Sequence, residues 1–176
     1  MKTDDLRTYL ANPMARLPER MPLTRLCAQI AESHEREGGA TVNPRFGSLI
    51  GQPLFAVSLY PGRSVIVAGR SLAAELIAVF VRQNSDLLRD PRNSIGTWYD
   101  EEADVTYLDI TAVVVEKREG LTLGDVYNQK GIYDLEEGEE IPTGGTGKEP
   151  EEAPPEIDRL PPLKRRHRKG NDDPSR

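Results

Sequence analysis

Residues 94–115 read SIGTWYDEEADVTYLDITAVVV. Two runs rich in threonine, tyrosine, tryptophan, isoleucine and valine flank the polar connector Asp100–Asp104, a pattern that predicts a β-hairpin with a five-residue loop. Alternation along the second run puts Thr106, Leu108, Ile110, Ala112 and Val114 on one face and Val105, Tyr107, Asp109, Thr111, Val113 and Val115 on the other. The first set is the core candidate. With Trp98 set opposite Thr106, Gly96 falls opposite Leu108, where a missing side chain leaves room for a large one. That register gathers Ile95, Thr97, Tyr99, Tyr107 and Asp109 on the second face, which is amphipathic enough to be covered by another element or to bind.

Outward from the hairpin, Leu72, Leu76, Val79, Phe80, Gln83 and Leu87 recur at threes and fours. They form an apolar stripe for a helix capped by Ser71, ended by Asp90-Pro91 and laid on the sheet. Before it, Leu54–Tyr60 and Ser64–Val67 surround Pro61-Gly62 and read as a second hairpin. Residues 40–53, punctuated by glycine and proline, read as an extended ledge. Leu26, Cys27, Ile30 and Ala31 follow helical spacing from Leu23 to Arg36, with Gly38-Gly39 as the stop, and a shorter helix fits Asp4 to Ala11. Downstream, a short helix is expected over Thr122 to Gln129 with Leu123, Val126 and Tyr127 inward, although Gly124 costs it about 1 kcal/mol relative to alanine. Ile132–Leu135 follows as a fifth strand, with Glu136–Glu139 as its turn.

The expected fold is therefore α+β: a mostly antiparallel sheet in ββαββαβ order with helices on one face, preceded by an N-terminal helix. This divides the chain into a helical segment (1–37), an α+β domain (38–142) and a tail (143–176) whose charged, proline-rich composition reads as disordered.

The chain has 176 residues, 37% of them hydrophobic and 30% charged, enough for one domain with a real core. The net charge of −6 is unevenly spread. Residues 143–176 carry 8 lysines and arginines against 7 acids, and the rest of the chain 15 against 22. An acidic body repels a phosphate backbone, so nucleic acid is not the expected partner of the folded part. No run approaches the roughly 18 apolar residues of a membrane helix, and the first residues lack the apolar core of a signal peptide, so a cytoplasmic protein without membrane contact is expected.

Cys27 is the only cysteine, which excludes an internal disulfide and thiol-rich metal sites. It falls on an apolar helix side, the place of a small buried hydrophobe. His34-Glu35-Arg36-Glu37-Gly38 begins like a zinc-protease helix, but Gly38 stands where a second histidine is required. Gly144-Gly145-Thr146-Gly147-Lys148 resembles half of a phosphate loop, yet Pro142 and Glu149 occupy positions that demand glycine and a hydroxyl. The paired carboxylates Glu136/Glu137 and Glu139/Glu140 sit in turns, where water keeps their ionisation alike and useless for acid and base work. No cofactor or metal site is expected.

Two surfaces remain. Trp98, Tyr99, Tyr107, Asp109, Asn128, Gln129 and Asp134 are polar or aromatic residues at strand or helix-end positions that could line a binding surface. Lys164, Arg165, Arg166, Arg168 and Lys169 put five fixed charges within six residues, able to contact phosphates or another anion, with no aromatic among them for base stacking.

The runs GGATVNPRFG, FAVSLYPGRSVIV, SIGTWYD, TYLDI, YNQKGIYDL and EEIPTGGTG resemble a family of small uncharacterised proteins of bacterial chromosomes, mobile elements and phages. The resemblance covers roughly Gly38 to Gly147 and implies an accessory role without supplying site residues. One departure is DEEAD, which lacks the glycine that such hairpin loops carry. The sequence favours a non-enzymatic protein-binding module acting through the sheet face, or through an edge at Val65–Val67 or Ile132–Leu135, with the tail as a second contact. The alternatives are a nucleic-acid-associated protein using the basic cluster, and a small enzyme or ligand-binding domain around Asp109 and Asp134.

Overall fold

The computed structural model describes residues 5–163. It is an α+β fold with an eight-stranded, antiparallel, curled sheet. In chain order the elements are α1 (Leu6–Ala11), α2 (Leu23–Glu37), β1 (Gly39–Asn43), β2 (Gly47–Ser48), β3 (Phe55–Ser58), β4 (Val65–Ala68), α3 (Ala74–Gln83), β5 (Asn93–Asp100), β6 (Val105–Val114), α4 (Lys117–Val126), β7 (Gly131–Asp134) and β8 (Glu139–Pro142). The sheet runs β2-β1-β5-β6-β3-β7-β8, and β4 pairs with β6 off that path. Two strands therefore precede, and one follows, the order expected from the sequence.

The β5–β6 hairpin is the centre of the sheet, but its register is one residue from the expected one. Trp98 pairs with Tyr107, Gly96 with Asp109 and Asp100 with Val105, so the loop has four residues. Asp100 Oδ1 accepts the backbone N–H groups of Glu102 and Ala103, and Asp104 takes the left-handed region at φ 48° without being glycine. A slip of one residue exchanges faces. Ile95 and Thr97 accordingly join Leu108, Ile110 and Ala112 in the core, while Trp98 and Gly96 share the other face with Tyr107 and Asp109.

The second expected hairpin is absent. β3 and β4 do not pair with each other; both pair with β6, β3 along Thr111–Val114 and β4 along Val105–Leu108. They form one interrupted strand, broken by a 3₁₀ turn at Pro61–Arg63. Proline at the first position of that turn sets its φ and removes an N–H that the ladder would need. The expected ledge contains β1, which pairs with β5 from Gly39↔Trp98 to Val42↔Ile95.

Helices α2, α3 and α4 cover one face. Leu26, Cys27 and Ile30 of α2 and Ile77, Phe80 and Val81 of α3 meet Val57, Leu108 and Ile110 in the main core. Helix α3 begins at Ala74 rather than under a Ser71 cap, and its buried stripe excludes Val79, which is exposed. Helix α4 starts inside the charged link and buries its glycines. A Cβ at Gly120 would stand 3.1 Å from Ile132 Cδ1, and one at Gly124 3.0 Å from Ile132 Cγ2. The helical cost of Gly124 is thus the condition of close helix–strand approach, and Val126, expected inward, is exposed.

The opposite face is divided. At one end Leu6 and Tyr9 of α1 pack with Leu49, Leu54, Ala56, Val113 and Leu135 in a second cluster. The other end is open. Residues 143–163, expected to be disordered, run along the domain: Thr143, Gly145 and Gly147 donate backbone hydrogen bonds to Lys130, Gln129 and Asn128. Further on, Arg159 is buried and donates to Leu59 O at 2.7 Å. The domain's contacts therefore continue past the boundary expected at Pro142. Among the described residues, no helix is long and apolar enough to cross a membrane.

Candidate functional site

The open end of the second sheet face is a groove of about 970 Å³. Side chains from β1, β3, β4, β5, β6, β7 and β8 line it together, which requires the sheet to curl toward this face. Its floor follows from the pairing of the central strands. Trp98 and Tyr107 stand opposite each other, and their rings stack at 5.5 Å with an interplanar angle of 25°. Beside them Gly96 faces Asp109, and a Cβ at Gly96 would meet Thr111 Oγ1 at 2.5 Å. Glycine there gives room to the Thr111 side chain beside the carboxylate.

Asp109 lies on β6, level with Ser64 just ahead of β4, and its Oδ1 accepts a short hydrogen bond from Ser64 Oγ–H. Burial raises its pKa, and the Ser64 bond opposes that shift in part. Its second carboxyl oxygen, Oδ2, has no partner among the described residues, and it is not among the enclosed polar atoms either. It therefore faces the groove.

Two cations stand at the rim. The Arg70 guanidinium lies 5.6 Å from the Tyr99 ring centroid and also donates to Glu35 O at 2.9 Å. Lys130 Nζ lies 6.0 Å from the Tyr107 centroid. The acids Glu37, Glu101 and Glu140 complete the charged lining. A second hollow, between α2 and the residues just ahead of α3, has no aromatic side chain in its lining. The sheet groove is the stronger candidate.

Of the residues expected at a binding surface, Trp98, Tyr99, Tyr107, Asp109 and Gln129 line this groove. Asn128 and Asp134 do not. Asn128, at φ 53°, anchors the chain after β8: its Oδ1 accepts Thr146 N–H at 3.0 Å and its Nδ2 donates to Thr146 Oγ1 at 2.6 Å. Asp134 Oδ1 accepts the N–H groups of Glu136 and Glu137 and so shapes the β7–β8 turn. Because Tyr133 pairs with Ala56 on the groove side, Asp134, paired with Phe55, points to the opposite face. A pocket joining Asp109 and Asp134 is therefore not formed. The basic cluster Lys164–Lys169 lies outside the described residues.

Ser64, Arg70 and Lys130 also line the groove and were not expected there, while Ile66 and Tyr133 were expected only as parts of sheet edges. What was not readable was that β4 extends β3 beside β6.

The second important feature is an edge. The hydrogen bond from Gly69 N–H to Asp104 O continues the β4–β6 ladder, so Val65, Val67 and Gly69 turn their backbone groups toward β6. Those of Ile66 and Ala68 then point away, and no described strand pairs with them. Ile66 is 60% exposed, and its side chain lies on the groove face opposite Tyr107. By contrast β7, the other expected edge, is flanked by β3 and β8.

His34 and Cys27 are structural. His34 is fully buried, its Nε2–H donating to Arg70 O at 2.9 Å while Nδ1 lies 2.9 Å from Thr97 Oγ1. Burial pushes the Cys27 thiol up, away from a reactive thiolate. No group of three or more metal-ligating side chains occurs among the described residues. No protein-family model matches the chain, and neither a curated protein nor a solved structure matches it significantly.

Proposed function

We propose that this protein is a non-enzymatic protein-binding module that pairs an extended segment of a partner with the outer edge of β4. The observation that carries the reading is the run Val65-Ile66-Val67-Ala68: an apolar strand with one edge unpaired among the described residues, opening directly on an aromatic groove. Unpaired N–H and C=O groups on such a strand are a template for another chain, and proteins usually blunt such edges with charge, proline or a covering element. β4 carries none of the first two. A strand added there gains main-chain hydrogen bonds from Ile66 and Ala68 and lays alternate side chains beside Ile66 in the groove. The accessory role implied by the resemblance to proteins of mobile elements and phages accords with a module that acts by holding a partner.

The test is selection of peptides from a random display library on the full chain, followed by comparison with Ile66→Pro. The Ile66 N–H points away from β6, so proline removes an outward donor without deleting a bond of the β4–β6 ladder. Selected peptides that bind the native chain and lose binding to the folded proline variant support the reading. Peptides indifferent to the change, or contacting only surfaces distant from β4, count against it.

A further inference from the structure

We infer that the groove selects an arginine side chain of the segment added at β4, with the guanidinium held between the free oxygen of Asp109 and the Trp98–Tyr107 stack. This deepens the edge-pairing reading and rests on it.

Asp109 is the starting point. One of its oxygens is held by Ser64; the other opens on the groove without a partner among the described residues. The ion pairs of the described residues are made by Arg36, Arg63, Arg92 and Arg159, and none includes Asp109. A carboxylate partly withdrawn from water and left without a counter-ion is costly, and a ligand cation that reaches it recovers that cost. The groove also holds more acids than bases: Asp109, Glu37, Glu101 and Glu140 against Arg70 and Lys130.

The reach is set by the sheet. Ser64 is level with Asp109, and a strand paired to the outer edge of β4 lies two interstrand spacings from β6, roughly 10 Å. Only a long side chain spans that gap. Lysine and arginine both do, but they suit different surfaces at its end. A guanidinium is planar and weakly hydrated, stacks on aromatic faces and presents a fork of donors to a carboxylate, whereas an ammonium is a strongly hydrated point charge. Trp98 is 44% exposed beside Tyr107, and Tyr107 shares the groove face of β6 with Asp109, so an aromatic surface lies next to the carboxylate. That combination suits arginine.

Trp98 is the only tryptophan and reports occupancy of the groove by its fluorescence. The probe is a pool of eight-residue peptides with alternating valine and threonine around one central arginine, compared with pools in which citrulline or lysine replaces it. Citrulline keeps the shape and removes the charge. Titration of the full chain is expected to show the arginine pool binding about tenfold more tightly than the citrulline pool, with lysine between them. Asp109→Asn is expected to erase the difference by weakening only the charged pools. The citrulline comparison on the native chain stands even if that variant folds poorly.

Ile66→Pro separates the two levels of the reading. Binding that is lost in Ile66→Pro but equal for arginine and citrulline overturns the arginine inference and leaves edge pairing standing. Binding unaffected by Ile66→Pro, or no binding by any pool at millimolar concentration, overturns both.

Discussion

Ser64 and Asp109 meet across the start of β4 and the middle of β6, the serine hydroxyl donating to one carboxyl oxygen while the other opens on the groove. The pair joins the broken strand to the hairpin at the point where the sheet face is least covered. A half-satisfied carboxylate is a poor way to stabilise a sheet, and its cost is measurable. Burial raises the Asp109 pKa above its ordinary 3.8, so the folded state holds this proton more tightly than the unfolded chain. The group thus costs nothing below the unfolded value, and stability falls as pH rises from there through the folded value. Asp109→Asn is expected to raise the melting temperature at pH 7, with a gain that disappears below about pH 4 in melting curves across pH. A variant that is less stable at both pH values would show that the carboxylate is structurally required.

The same shift gives ligand binding a pH dependence. Only the ionised carboxylate attracts a guanidinium, so the affinity of the arginine peptides should weaken as pH falls through the raised pKa of Asp109. Binding should also release protons near that pKa, which calorimetry in buffers of different ionisation enthalpy detects. The citrulline peptides should show neither effect.

Trp98 is exposed, and its ring stacks on that of Tyr107. Trp98→Ala should therefore cost the fold only about 1 kcal/mol, the worth of an aromatic pair. Its effect on peptide binding should be far larger, because the groove loses its flat wall. Chemical denaturation and peptide titration of the same variant separate the two.

His34 holds α2 to the sheet and to the segment after β4 through Thr97 and Arg70. His34→Leu leaves the Arg70 carbonyl and the Thr97 hydroxyl without this partner in a dry site, an expected loss of about 2–3 kcal/mol by denaturant unfolding. The shape of the groove rim should change with it, since Arg70 sits over Tyr99.

Arg159 fastens the last described segment. Its guanidinium donates to Leu59 O and Pro154 O, pairs with Glu149 and lies 5.5 Å from the Tyr127 ring centroid. Arg159→Met keeps much of the packing volume but none of these bonds. The variant should lose about 2–3 kcal/mol and become sensitive to limited proteolysis between residues 149 and 163. Gly145→Ala should loosen the same segment from its other end, because a Cβ there collides with the backbone of Asn128 and Gln129.

Much of the core was legible. The alternation Leu108, Ile110, Ala112 marks the buried face of β6, and Leu26, Cys27 and Ile30 mark that of α2, because a period of two or of three to four is written directly in those residues. The hairpin register was not, since it depends on Asp104 adopting a left-handed conformation that nothing but a turn of four residues requires. The slip of one residue decides whether Trp98 faces the core or the groove. Asp109, Tyr107 and Trp98 drew attention by their types and do line the groove, whereas Lys130 and Arg70 reach it only through the curl of the sheet and the collinearity of β3 and β4. Asn128 and Asp134 drew attention as polar residues at element ends, and both serve local turns there.

Amide hydrogen exchange at Ile66 and Ala68 tests most directly whether β4 accepts a strand. Their N–H groups point away from β6, so in the free protein they should exchange far faster than those of Val65 and Val67, whose backbone groups face the ladder. With the arginine peptide pool bound, Ile66 and Ala68 should become protected while Val65 and Val67 change little. Peptide binding that leaves Ile66 and Ala68 exchanging at the free rate would contradict strand addition at this edge.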